Sequence, residues 1–191
     1  KDTFSLWMKV VVACIPGAAV TLLFDDYIEA HFHTPQVIAG ALIVYGIAFI
    51  LVENWNKKRM PAVKNLEDIT YKTAFIIGLF QVLSIVPGTS RSGSTIVGAL
   101  LIGVSRVAAA EFTFFLAVPV MFGLSAIKIL KFGLSFTGTE LVILGVGTVV
   151  AFLVSVLVIK FLMGYIKKHD FKIFGWYRIV MGILVILILG F

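Results

Sequence analysis

Nine consecutive residues, Pro87-Gly88-Thr89-Ser90-Arg91-Ser92-Gly93-Ser94-Thr95, set one arginine and five hydroxyls between two strongly apolar segments. A guanidinium near bilayer depth costs from a few to more than about ten kcal/mol unless it lines a wet cavity or meets an anion. Its neighbours favour the anion. If Ser92 or Gly93 starts a second half-helix, unpaired backbone N–H groups and the positive end of a helix dipole point to the same place as Arg91. Such a constellation binds anions, above all phosphates. Arginine suits it better than lysine, because its planar fork holds two phosphate oxygens and stays charged at any relevant pH. Ser90 and Ser92 are the hydroxyls expected to touch a ligand, with Thr95 behind them. Against that stands a plain alternative, in which these side chains are helix caps. Gly93, like Gly88, permits tight turning and close backbone approach. Gln81 either faces the same cavity or hydrogen-bonds a neighbouring helix. By itself the motif serves a phosphatase or the substrate cradle of a transporter equally well.

These residues need a scaffold of membrane helices. The 191-residue chain is 60% hydrophobic and 14% charged, with a mean hydropathy of +1.08. Soluble domains are roughly 45–50% apolar, so this composition defines an integral membrane protein folded as a single bundle. The net charge of +6 is read as loop charge that sets orientation rather than as a nucleic-acid footprint. Cys14 is the single cysteine and lies in an apolar segment, which excludes an intramolecular disulfide. Five stretches are long and apolar enough to cross: residues 4–24, 37–52, 112–130, 141–163 and 174–191. The apolar region 74–104 is broken by Pro87, Gly88 and Gly93 into two pieces too short to span. It is predicted to form a re-entrant helix–loop–helix hairpin, because non-helical backbone at that depth is tolerated only against protein or a water-filled cavity. Broken helices of this kind characterise inverted-repeat architectures.

Basic loops orient the bundle. Lys57, Lys58, Arg59, Lys64 and Lys72 in one, and Lys167, Lys168 and Lys172 in another, place both loops in the cytoplasm. An acidic turn over Asp25–His33 then lies outside. Arg106 and Glu111 are expected to pair at the interface, and spacings such as Gly40–Gly46 and Gly145–Gly147 to bring helices close. Lys1 is no initiator methionine, and a span begins within a few residues of it. The start is read as an amino-terminal truncation.

The residues Phe80-Gln81 and Pro87 through Thr95, followed by Gly103-Val104-Ser105-Arg106, Ala110-Glu111-Phe112-Thr113-Phe114 and Pro119, closely resemble the second signature region of the bacterial undecaprenyl-diphosphate phosphatases, the bacitracin-resistance membrane proteins. The likeness extends to Ile15-Pro16-Gly17 and Tyr71-Lys72-Thr73-Ala74-Phe75. It implies inverted repeats with two re-entrant hairpins, and hydrolysis of the lipid carrier undecaprenyl diphosphate to undecaprenyl phosphate and inorganic phosphate in the bacterial cell membrane. That reaction recycles the carrier for cell-wall synthesis and gives bacitracin resistance. The resemblance also implies a divalent cation, Mg²⁺ or Ca²⁺; a homodimer is one possible assembly, and the sequence does not fix it. It makes Arg91 the catalytic, phosphate-binding arginine, with Ser90, Ser92 and Thr95 in the polar pocket. One departure stands out: the family's first signature, a glutamate-rich stretch followed by Pro-x-Ser-Ser-Thr-Gly-His, is not found in this sequence. This chain by itself is therefore expected to bind the diphosphate without turning it over. A transporter or flippase for an anionic lipid, using the same hairpin as its substrate site, is the rival reading.

Overall fold

The computed structural model describes residues 2–57, 59–133 and 136–189. Lys58 of the first basic loop and the last two residues of the final expected span lie outside the described residues, as do the side chains of Asp25, Asp26 and Glu29. The architecture is all-α. Among the described residues seven α-helices follow in order: α1 (Asp2–Phe32), α2 (Pro35–Asn56), α3 (Tyr71–Val82), α4 (Arg91–Leu101), α5 (Arg106–Phe132), α6 (Gly138–Ile166) and α7 (Lys172–Leu189). Five of them, α1, α2, α5, α6 and α7, are long and apolar enough to cross a membrane.

Local chemistry sets the boundaries. Thr34 caps α2 by accepting from the Val37 N–H, and Pro35 occupies the first turn, where its missing N–H costs nothing. Ser105 caps α5, while Thr137 and Glu140 form a reciprocal capping box on α6. The acidic turn expected over Asp25–His33 is instead helical through Phe32. Residues 18–34 contain neither glycine nor proline. Polar residues alone each cost a helix no more than about 0.7 kcal/mol, so α1 runs on past the hydrocarbon.

Helices α3 and α4 make the hairpin. They have 12 and 11 residues, about 18 and 17 Å at ~1.5 Å per residue, against a hydrocarbon core of about 30 Å. Both open ends of the hairpin return to one end of the bundle. There the Asn56 amide at the end of α2 donates to Leu100 O at 3.2 Å. Val63 and Val104 pair backbone to backbone, through Val63 N–H to Gly103 O at 3.1 Å and Ser105 N–H to Val63 O at 2.8 Å. The hairpin thus opens and closes at the same end of the bundle, with its turn inside it.

Helix α4 is the axis of the packing. Residues Gly93–Leu100 are all buried, with α1, α3 and α5 on one side through Ala13, Ile77, Ala99 and Phe112. Phe49, Val52, Val97 and Phe171 close the other side, from α2, α4 and the segment entering α7. In lipid, helices associate by close packing rather than by a hydrophobic drive, so small residues matter at the contacts. Gly46 of α2 faces Gly175 and Ile179 of α7, and Gly182 faces Ala39 and Ile43. Gly40, Gly145 and Gly147 meet no atom within 4 Å, so those expected contacts are not made among the described residues. The apolar window of α6 is 0% buried, a surface suited to lipid tails.

Arg106 does not pair with Glu111. Five positions apart on a helix, the two point to different faces. Arg106 instead forks onto Glu53 of α2, with Nε 3.0 and 2.9 Å from the two carboxylate oxygens. Glu53 is 0% exposed and also accepts the Phe171 N–H at 3.1 Å. This pair, with Glu53 buried and Arg106 partly exposed, ties α2, α5 and the α6–α7 connection together at the end that carries the basic loops, where Lys57 also approaches Asp170 at 3.9 Å.

With both basic segments at one end, the bundle has a definite expected orientation. After replacement of Cys14, a cysteine at Lys64 should be protected from an impermeant thiol reagent in intact cells, and one at His33 should react. The opposite labelling pattern would invert the topology.

Candidate active site

The turn between α3 and α4 is built to stop one helix and start another within the bundle. The Ser84 hydroxyl donates to Gln81 O at 2.6 Å, and Val86 N–H donates to Leu83 O at 3.3 Å, closing the end of α3. Gly88 has φ +88°, and a Cβ there would stand 2.6 Å from Ile38 O and 2.9 Å from Ile38 Cα of α2. Glycine is required twice over, for the left-handed backbone and for the close approach. Among the described residues Ser90 is the non-glycine residue with positive φ, at 68°. A serine held there stores of order 1–3 kcal/mol of strain, a feature that concentrates at functional sites.

Ser90 is the cap of α4. Its hydroxyl accepts the Gly93 N–H at 3.3 Å, and its carbonyl accepts the Ser94 N–H at 3.0 Å and the Ser94 hydroxyl at 3.1 Å. The helix therefore starts one to two residues earlier than the sequence implied, with Arg91 at its first position. The N–H groups of Arg91 and Ser92 have no partner among the described residues. They sit at the positive end of α4, next to the guanidinium.

Arg91 is half-buried and lightly held. Nη1 lies 3.5 Å from Gln81 Oε1 and Nη2 lies 3.5 Å from Thr113 O, both at the long limit for a hydrogen bond. A guanidinium has five donors, so most of its capacity remains for a ligand. Gln81 is 5% exposed and orients the arginine from α3. Gly17 of α1 makes room for it, since a Cβ there would stand 3.0 Å from Gln81 Nε2.

The structure brings Gln81, Ser90, Arg91, Ser92 and Gly93 together, in two different kinds of position. Ser90 is exposed, and Ser92 and Arg91 are partly so, whereas Gly93 is buried against Phe49. Thr95 is 0% exposed. Its hydroxyl lies 3.1 Å from both Arg91 O and Ser92 O and 3.0 Å from the Thr113 hydroxyl. Thr95 thus braces the first turn of α4 against α5 and has no accessible surface to offer a ligand.

Sequence reasoning missed Arg178. From α7 its Nη2 donates to Gly88 O at 2.5 Å and to Thr89 O at 2.9 Å. The guanidinium lies over the Tyr45 ring, 6.0 Å from the centroid. Its Nε is buried without a partner among the described residues. Arg178 therefore caps from α7 the two carbonyls that the turn exposes. A charge inside an apolar span, only six residues from the α7 N-terminus, is the signal that could have found it; the partner carbonyls are visible only in three dimensions.

A bundle with five helices long and apolar enough to cross and an arginine-bearing hairpin at its centre defines a polytopic membrane protein. The chain belongs to the bacitracin resistance protein BacA family, whose model matches residues 1–184. A protein of Enterococcus faecalis named undecaprenyl-diphosphatase is 70% identical over 188 residues, covering 98% of this chain and 68% of that protein. Proteins of the same name from Desulfitobacterium hafniense and Lachnoclostridium phytofermentans are 61% and 63% identical, each over 97–98% of this chain and 67–68% of their own length. The chain is thus a multi-pass bacterial membrane protein.

Because the turn depends on Gly88, Gly88→Ala should destabilise the reconstituted protein by about 1–3 kcal/mol or more, through strain and the clash with Ile38. Gly40→Ala, where nothing lies within 4 Å, should be neutral or stabilising by up to about 1 kcal/mol. Denaturation midpoints of the two variants test the difference. Equal shifts would mean that the turn is not tightly seated on α2.

Proposed function

We propose that this protein hydrolyses undecaprenyl diphosphate to undecaprenyl phosphate and inorganic phosphate, the activity named for its relatives in three bacterial species. One observation carries the site assignment: Arg91 has spare donors beside the free N–H groups of residues 91 and 92, at the N-terminus of a half-helix inside the bundle. A diphosphate is the ligand that uses all of them. Its phosphate oxygens would take the guanidinium fork and the helix N–H groups, while Ser90 and Ser92 donate at its edge. The polyprenyl tail would leave along α3, where Leu79 and Leu83 are 48% and 46% exposed beside the turn.

Phosphoryl transfer requires mainly positioning and charge neutralisation, since the transferring group passes through a loose state with its charge spread over the equatorial oxygens. Arg91 meets that requirement. It binds the oxygens that gain charge as the phosphoanhydride bond breaks and water adds to the terminal phosphorus. Gln81 and Thr113 keep the guanidinium in place, and Thr95 holds α4 so that its N–H groups keep their aim.

The divalent cation implied by the family resemblance, Mg²⁺ or Ca²⁺, would need oxygen ligands with carboxylates among them. Around Arg91 the available groups are a cation, an amide and hydroxyls, and no cluster of metal-binding side chains occurs among the described residues. These residues do not fit a metal, and no step here runs through one. Dependence on the cation remains part of the proposal for the complete protein, where the family's glutamate-rich first signature would bring the carboxylates; there phosphate release should stop on chelation and return when Mg²⁺ or Ca²⁺ is restored.

In the complete protein, Arg91→Ala should lower kcat/KM for phosphate release from undecaprenyl diphosphate by about 10- to 150-fold, the equivalent of ~1.5–3 kcal/mol for a charge-assisted bond. Arg91→Lys should recover little of this, because it keeps the charge and loses the fork. Near-normal rates for both would remove Arg91 from the chemistry.

A further inference from the structure

At the basic end of the bundle, a cavity of ≈ 950 Å³ opens between the C-terminal ends of α2, α4 and α6 and the N-terminus of α5. Arg91 is not among the residues that line it. Five cationic side chains do: Lys57, Arg59, Arg106, Lys167 and Lys168, with Asp170 the lining carboxylate. Arg106 is neutralised from behind by buried Glu53, which leaves four cations against one carboxylate. Asp170 is shared at long range by Lys57 (3.9 Å) and Lys172 (4.0 Å). Lys167 and Lys168 have no ion-pair partner among the described residues. The ring of His169 is turned onto Tyr165, 4.3 Å between centroids, and bonds Tyr165 O.

Backbone adds to this field. Ser105 takes up the N–H groups of Ala108 and Ala109, so the N–H groups of Arg106 and Val107, both in the cavity lining, remain at the positive end of a 27-residue helix. The rest of the wall is apolar, with Leu101, Ile102, Val107 and Ile166. It borders α6, whose apolar window is wholly exposed.

We propose that this cavity binds the headgroup of an anionic membrane phospholipid. The shared chemistry is a phosphate on cationic side chains and helix N–H groups, which free phosphate would also satisfy. The apolar wall and its continuity with α6 favour a phosphate that carries acyl chains. Basic pockets between membrane helices on the cytoplasmic side are suited to such headgroups, each nearby Lys or Arg adding about five-fold in association. A bound lipid would brace the open end of the hairpin, because Leu100 and Gly103, where α4 is tied to α2 and to Val63, are both part of the wall.

Trp55 gives a local probe, since Arg59 of the cavity stacks on its ring at 4.1 Å. In a W7F/W176F protein in phosphatidylcholine vesicles, brominated phosphatidylglycerol should quench Trp55 more than the same fraction of brominated phosphatidylcholine. K167Q/K168Q should abolish the preference, and K128Q/K131Q at the far end of α5 should keep it. Should the double variant fail to fold, K167Q and K168Q singly should each weaken the preference about five-fold. Equal quenching by the two lipids, or an undiminished preference in folded K167Q/K168Q or in its folded single variants, would overturn the proposal. Loss of the preference on adding inorganic phosphate would overturn it in favour of a free-phosphate site.

Discussion

Hydrocarbon offers no partner to a backbone amide or carbonyl, so a helix that stops half-way across must have its loose polar groups taken up by protein. Most of this structure follows from how the α3–α4 turn meets that demand. Ser84 and Val86 close α3, Ser90 takes up the N–H groups of Gly93 and Ser94, and Arg178 reaches across from α7 to the carbonyls of Gly88 and Thr89. Among the described residues the donors left without a partner include the N–H groups of Arg91 and Ser92, with the arginine beside them. The proposed ligand position is where the protein leaves donors unsatisfied, at a depth where that costs several kcal/mol.

Two arginines at one turn thus have opposite states. Arg178 is bound at short range to protein carbonyls, at 2.5 and 2.9 Å, and its charge serves the fold. Arg91 touches protein only at 3.5 Å, and its charge is available. Arg178 also lies on α7, which packs through Gly175 and Gly182 against α2, and α2 in turn presses Ile38 onto Gly88. The α2–α7 pair is therefore the wall against which the turn is held, while α1, α3 and α5 supply Gly17, Gln81 and Thr113 to the arginine on the other side.

The hairpin and its arginine were legible in the sequence because they break a strong pattern: proline and glycines interrupt an apolar run, and hydroxyls cluster around a charge. The bundle was legible for the same reason, since about 20 apolar residues in a row have few other uses. Pairings were not. Arg106 lies near Glu111 in sequence but meets Glu53, 53 positions away, and Glu53 ends an apolar run where any interfacial carboxylate would read alike. Thr95 looked like part of the pocket because it shares the hydroxyl cluster, yet helical geometry turns its side chain back onto Arg91 O and across to Thr113. Glycine spacing within one helix likewise gave no indication of which glycine meets a neighbour: Gly46 does, and Gly40 does not.

The two ends of α4 show why a broken helix serves better here than a kinked one. A continuous helix would carry its N–H groups into hydrogen bonds along its length and leave its positive end at the membrane surface, in water and screened. Starting a new helix at Arg91 brings that positive end inside the bundle, where the surroundings screen it far less. The eleven residues of α4 then carry the chain back to the end where Asn56 and the Val63–Val104 bridge fasten it. The break thus places the start of α4 and Arg91 at one depth, and the strain at Ser90 and the demand for glycine at position 88 are what that placement costs.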